Sequence, residues 1–177
     1  MKHLYLSALF LLGLTSCQIG GLTSGYSHLS ATQKERVVTL EDDIDAIHDF
    51  SKVYTVSINQ VKQYIESHDR VLLYDYTPFC RSTYCVSPSA LVSQCKDKGI
   101  NVLVISNIYD DIFKQQHTTF PMLMIDTKRF PTKWRAKYHD LFYSPLTGHT
   151  DKDLNYASFH YFEKGKYIKS FKNPNDI

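Results

Sequence analysis

The sequence predicts an α/β domain in which a central mixed sheet carries helices on both faces. Two near-continuous apolar runs, Val71–Tyr76 and Val102–Ser106, have the make-up of strands covered on both sides. Segments with helical spacing alternate with such strands, which implies a sheet wrapped by helices. The chain then closes on two aromatic-rich stretches about Glu163-Lys164-Gly165-Lys166, the pattern of a terminal hairpin.

In chain order, Val53-Tyr54-Thr55-Val56 is the first strand expected. Ser57 follows as a helix cap, with Ile58, Val61, Tyr64 and Ile65 on one face of a helix running to about His68. After the Val71 strand and a cysteine-bearing turn, Pro88 to Lys98 predicts a helix, with Pro at an early position and Gly99 as its stop. The Val102 strand is followed by Tyr109–His117, expected as a crossing helix. Phe120-Pro121 then opens a strand to Asp126, with Pro where a missing donor is tolerated. Trp134, Tyr138, Leu141 and Phe142 have helical spacing, with Lys133, Arg135 and Lys137 facing water. Residues 146–155 read as polar loop. Ser158–Phe162 and Tyr167–Phe171 form the hairpin.

The beginning of the chain has a different composition. Met1-Lys2-His3 is a basic start, and the apolar run Leu4–Leu14 is too short to span a bilayer, so residues 1–16 read as a secretory signal. Leu14-Thr15-Ser16-Cys17 resembles the lipobox of bacterial lipoproteins, which makes Cys17 the expected lipidation site and the new N-terminus. Residues 17–35 are rich in Gly, Ser and Thr and read as a flexible tether, with residues 36–177 as one domain. Gln18 is not the Asp that retains similar lipoproteins in the inner membrane. The expected address is the bacterial cell envelope, on the outer membrane and facing the periplasm. A net charge of +2 and aromatic residues spread without a stacking pattern argue against a nucleic-acid partner.

With Cys17 assigned to the anchor, Cys80, Cys85 and Cys95 remain, in a compartment where disulfides persist. Cys80 and Cys85 frame Thr77-Pro78-Phe79-Cys80-Arg81-Ser82-Thr83-Tyr84-Cys85, between a buried strand and a helix. A thiol near a helix N-terminus favours its thiolate, the form that attacks disulfides, peroxides and soft metals. Arg81 could support that charge or be a solvated surface residue. Thr77 could bond the sulfur or complete the turn. Cys95 shares a helical face with Leu91 and reads as a small buried apolar residue. His149 and His160 read as surface or satisfied strand histidines rather than ligands. Asp75, inside an apolar strand, is either a proton-shuttling carboxyl with a raised pKa or a cap for the next turn.

On this element order and these segments, residues 50–172 resemble the thioredoxin-like superfamily, in the branch of membrane-tethered thiol-disulfide oxidoreductases and peroxiredoxins. The resemblance implies a three-layer fold, protein thiols or disulfides as partners, attack by Cys80 and resolution by Cys85 through a Cys80–Cys85 disulfide, and no cofactor. The spacing of the cysteines is similar to peroxiredoxins of the bacterioferritin-comigratory class, whose Thr-Pro-x-Cys-x4-Cys pattern is met by Thr77, Pro78, Cys80 and Cys85. In that family an earlier Pro stands where this chain has Leu73, and an Arg precedes the last strands where this chain has Asn155-Tyr156-Ala157. Ala157 also takes the place of the Pro that marks the oxidoreductases. The copper-delivery proteins of cytochrome oxidase assembly are a third relative, with a shorter cysteine spacing. The expectation is thiol-disulfide exchange. A non-catalytic binding lipoprotein with a structural disulfide is the alternative, and peroxidase or copper delivery are further ones.

Overall fold

A computed structural model describes residues 21–114 and 119–177. The expected signal and the Cys17 anchor lie outside the described residues. Among the described residues there are four α-helices, α1 (Ala31–Glu35), α2 (Ile58–Ser67), α3 (Pro88–Asp97) and α4 (Arg135–Thr147). The strands are β1 (Val37–Thr39), β2 (Val53–Val56), β3 (Arg70–Tyr76), β4 (Asn101–Ser106), β5 (Met122–Ile125), β6 (Phe159–Glu163) and β7 (Lys166–Phe171).

All seven strands join one mixed sheet in the order β1-β2-β5-β4-β3-β6-β7. The first five in that order run parallel, and β6 and β7 continue the sheet antiparallel from β3. Strand alternation divides the core in two. Leu73, Leu103, Ile105, Leu123 and Ile125 pack with Val61 and Ile65 of α2 and with Tyr138, Phe142 and Leu146 of α4. Leu72, Tyr74, Val104, Met122 and Met124 face the other way, against Leu91 and Cys95 of α3. A single-residue slip of β3 would exchange these two sets, so burial on both faces pins its register.

Local chemistry explains the element ends. The Ser57 side chain accepts from the Gln60 amide while the Gln60 side chain returns to Ser57, a reciprocal box that starts α2. Pro88 sits in the first turn of α3, where its missing N–H leaves nothing unsatisfied. Gly148 ends α4 at φ 78 and donates to the Ser144 carbonyl. Lys164 and Gly165 both have positive φ, 49 and 78, as a two-residue hairpin turn between twisted strands requires.

Two expectations are corrected. Residues 109–114 of the expected crossing helix, the part of it within the described residues, are not helical: 110–113 form a turn, with the Ile112 amide donating to the Tyr109 carbonyl, the Lys114 amide to the Asp111 carbonyl, and Asp111 at φ 64. Their i, i+3 apolar spacing serves a turn as well as a helix, and Ile108, Tyr109 and Ile112 are buried by it.

The second concerns residues 21–35, whose Gly/Ser/Thr content suggested a tether. They lie against the domain as a strap. The Tyr109 amide donates to the Ser24 carbonyl, the Arg135 amide to the Leu22 carbonyl, and His28 pairs with Asp110 at 2.7 Å. Leu29 is buried, and α1 then leads directly into β1. Gly25 is required there: at φ +72, a Cβ would lie 2.7 Å from Asp110 Oδ1.

Candidate functional site

The carboxyl end of β3 leads into the cysteine turn, so the site sits at the C-terminal edge of the parallel strands, where α/β sheets hold their ligands. Cys80 and Cys85 form a disulfide with Cα atoms 6.0 Å apart. The Cys80 amide donates to the Thr77 carbonyl and the Cys85 amide to the Ser82 carbonyl, which folds the loop into two successive turns. Ser82 Oγ lies 3.1 Å from Cys85 Sγ and 3.8 Å from Cys80 Sγ. Cys80 is exposed and Cys85 half-buried, so an incoming group meets Cys80 first.

The other residues expected in the site are spread around this loop. Thr77 is half-buried and contributes its carbonyl to the turn. Arg81 is exposed and forms no hydrogen bond or ion pair among the described residues. Phe79 and Tyr84 are exposed beside the cysteines. Helix α3 begins only at Pro88, so Cys85 is the cysteine nearer its amides along the chain. Cys95 is fully buried and free, and burial pushes its thiol pKa up, which leaves it inert. The exposed His149 ring meets Tyr167 at a tilt, with the ring centres 5.6 Å apart. Among the described residues no group of three or more His, Cys, Asp or Glu side chains is placed to hold a metal ion.

Beside the loop lies a cleft of about 350 Å³ whose walls include Thr77, Arg135, Tyr156, Ala157 and Ser158. Its floor is an ion cluster. His139, in the first turns of α4, points one ring nitrogen at Asp75 (2.8 Å) and the other at Asp151 (2.5 Å). Asp75 also accepts from the Asn107 side chain at 2.6 Å, and the Tyr138 hydroxyl donates to the Asn107 carbonyl. Four separate stretches of chain therefore converge on this point: β3, the segment after β4, α4 and the loop that follows it.

Electrostatics fix the protonation states. Burial works against a charge on His139, but the Asp75 carboxylate and the hydrogen bonds to Asp151 and Asp75 override it and raise the pKa to about 10. With both nitrogens facing carboxylates the ring donates from both, as only an imidazolium can. The sequence left Asp75 as either a proton-shuttling carboxyl of raised pKa or a cap for the next turn. Burial, the largest single influence, would raise its pKa, yet the His139 charge and the hydrogen bonds from His139 and Asn107 together outweigh it and hold the carboxyl below the ordinary value. Asp75 is thus a carboxylate, locked in an ion pair.

Behind this cluster the His139 ring lies 4.7 Å from Tyr143, and Tyr143 lies 4.9 Å from His160. His160, in β6, is buried, bonds Ser170 through Nδ1 and leaves Nε2 without a partner among the described residues. Burial lowers its pKa to about 4 and keeps the ring neutral. Burial also drives the Tyr143 hydroxyl well above its usual value.

Asn107, His139 and Asp151 carry no motif, and nothing in their local sequence flagged them. The one available signal was His139 itself, adjacent to Tyr138 and one helical turn before Tyr143 on the buried side of α4. No family model matches the chain, and no curated protein or solved structure matches it.

Proposed function

We propose that the protein is a thioredoxin-like thiol-disulfide exchange protein, lipid-anchored through Cys17 to the outer membrane and facing the periplasm, acting on protein thiols or disulfides. One observation carries this reading. The Cys80–Cys85 disulfide stands in an exposed turn directly after the inner strand β3, bridging only a short loop and open to a second sulfur. In the reduced protein, the Cys80 thiolate attacks a substrate disulfide and forms a mixed disulfide, and one substrate thiolate leaves. The Cys85 thiol gives its proton to solvent and attacks Cys80 Sγ, which re-forms the Cys80–Cys85 bond and releases the second substrate thiolate. The substrate gains two electrons and two protons, and the protein dithiol is oxidised. Ser82 Oγ, close to both sulfurs, supplies a hydrogen bond to whichever carries negative charge.

The experiment is a redox titration of the full-length protein in thiol-disulfide buffers, followed by insulin reduction. Exchange activity requires a potential between about −120 and −270 mV and turnover lost in Cys80→Ser. A potential below about −300 mV with no turnover refutes it. Anchoring is tested separately, by incorporation of labelled palmitate that disappears in Cys17→Ser.

A second reading has its own support. Cys80 precedes the first residue of α3 by a whole loop, so the helix amides that activate such thiols belong more nearly to Cys85. On that reading the disulfide pins the loop and the protein is a non-catalytic binding lipoprotein.

A further inference from the structure

We propose that the cleft beside the disulfide is a binding site for a small zwitterion of the amino-acid class, carrying a carboxylate at one end and an ammonium group at the other. The proposal does not rest on thiol exchange, because none of the groups that would hold this ligand is a sulfur.

The cleft is polarised from mouth to floor. At the mouth, Arg135 makes no ion pair among the described residues, and its only side-chain hydrogen bond is a long one, 3.4 Å, to the Gly21 carbonyl. A guanidinium with most of its donors free is a fork for a carboxylate. Arg135 is also the first residue of α4, a helix of 13 residues, so an anion there meets the positive end of its dipole. The Ala136 amide belongs to the same turn, and Ala136 lines the same cleft.

The floor has the opposite character. Asp75 and Asp151 share one imidazolium, which leaves the trio with a net negative charge. After the internal bonds are counted, two acceptors remain unspent among the described residues. Asp151 uses only Oδ2 towards His139, and Asn107 Oδ1 has no partner although Asn107 is only 1% exposed. Asp151, whose side chain is 19% exposed, is the acceptor open to a ligand's donor, whereas Asn107 Oδ1 has almost no accessible surface.

A simple anion would meet the floor carboxylates, and a simple cation would meet Arg135. A zwitterion matches both ends. The cleft volume, about 350 Å³, suits a molecule of this size. Its rim offers apolar cover for a side chain, through Leu22 and Tyr156, which are 44% and 69% exposed. Tyr156 is held outward by a backbone pair that favours glycine, Asn155 at φ 52 and Tyr156 at φ 54. A tyrosine kept in that conformation is strained, and strain of this kind collects at ligand clamps.

The test is calorimetric titration of the full-length protein with the twenty amino acids and diglycine. The best binder is then repeated as its N-acetyl and its carboxamide analogue, and against Arg135→Gln and Cys80→Ser/Cys85→Ser. At least one zwitterion should bind with a Kd below about 1 mM. Each analogue and Arg135→Gln should weaken it at least tenfold, while the double serine variant binds as the parent does. Thermal melts establish that Arg135→Gln is folded. Absence of binding at 10 mM throughout, equal binding of the carboxamide, or unchanged binding by folded Arg135→Gln each overturns the assignment. Loss of exchange activity with binding intact would strike only the redox reading.

Discussion

Replacing His139 by leucine removes the cation from beneath two carboxylates, and its cost can be worked in two ways. A rise in the His139 pKa from 6.5 to about 10 corresponds to a preference of about 5 kcal/mol for the charged ring in the folded state. Breaking a buried ion pair by deleting one partner costs about 3–5 kcal/mol, because the other partner is left charged and dry. We therefore expect His139→Leu to lose about 3–5 kcal/mol in urea unfolding at pH 7, and for a domain of this size roughly 6–20 °C in Tm. Asp75→Asn in the same background should recover part of that loss, since the amide needs no cation. The two changes should then couple by at least about 1 kcal/mol. The sign with pH follows from the folded pKa lying above the unfolded one: the contribution is complete below about 6.5 and is lost as pH rises through about 10. A folded His139→Leu protein within 1 kcal/mol of the parent, or strictly additive single changes, would refute the ion cluster as described.

Other consequences are equally open to measurement. His160 is buried neutral with its pKa lowered to about 4, so stability should fall as pH drops from about 6.5 towards 4, by up to about 3 kcal/mol, and His160→Gln should flatten that limb of the pH profile. Gly25→Ala, which forces a Cβ against Asp110, should loosen the strap and speed hydrogen exchange at the Tyr109 amide, which bonds the Ser24 carbonyl; unchanged exchange would count against a docked strap. Lys164→Asn should raise stability by about 0.5–1 kcal/mol in denaturant melts, because asparagine accepts the positive φ of the hairpin turn more readily than lysine.

Much of the fold was legible because its signals are local. Buried strands β3 and β4 appear as apolar runs, α2 begins at a serine cap with glutamine three residues on, and the hairpin turns at Lys164-Gly165. The missed pieces depend on distant partners. Residues 21–30 have the composition of a linker, and only carbonyls of that segment meeting amides of Tyr109 and Arg135 make them a strap. Strand β1 is a three-residue edge that pairs only with β2, too short for any alternation to stand out.

The candidate site divides in the same way. The cysteine pair and Asp75 stood out from their neighbours in the chain. His139, Asp151 and Asn107 did not, because their meaning lies in a meeting of residues 64 positions apart for the Asp75–His139 contact and 32 for Asp75–Asn107. A raised pKa, one of the two readings of Asp75, would follow from burial; the imidazolium that helps to reverse it belongs to a helix far downstream.

The strap also has a mechanical meaning. Two successive carbonyls, those of Gly21 and Leu22, grip the side chain and the amide of Arg135 at the head of α4. A pull on the chain ahead of residue 21 is therefore delivered to the wall of the cleft before the sheet feels any load. Wherever the leading segment is held fast, its tension and the posture of Arg135 are the same variable.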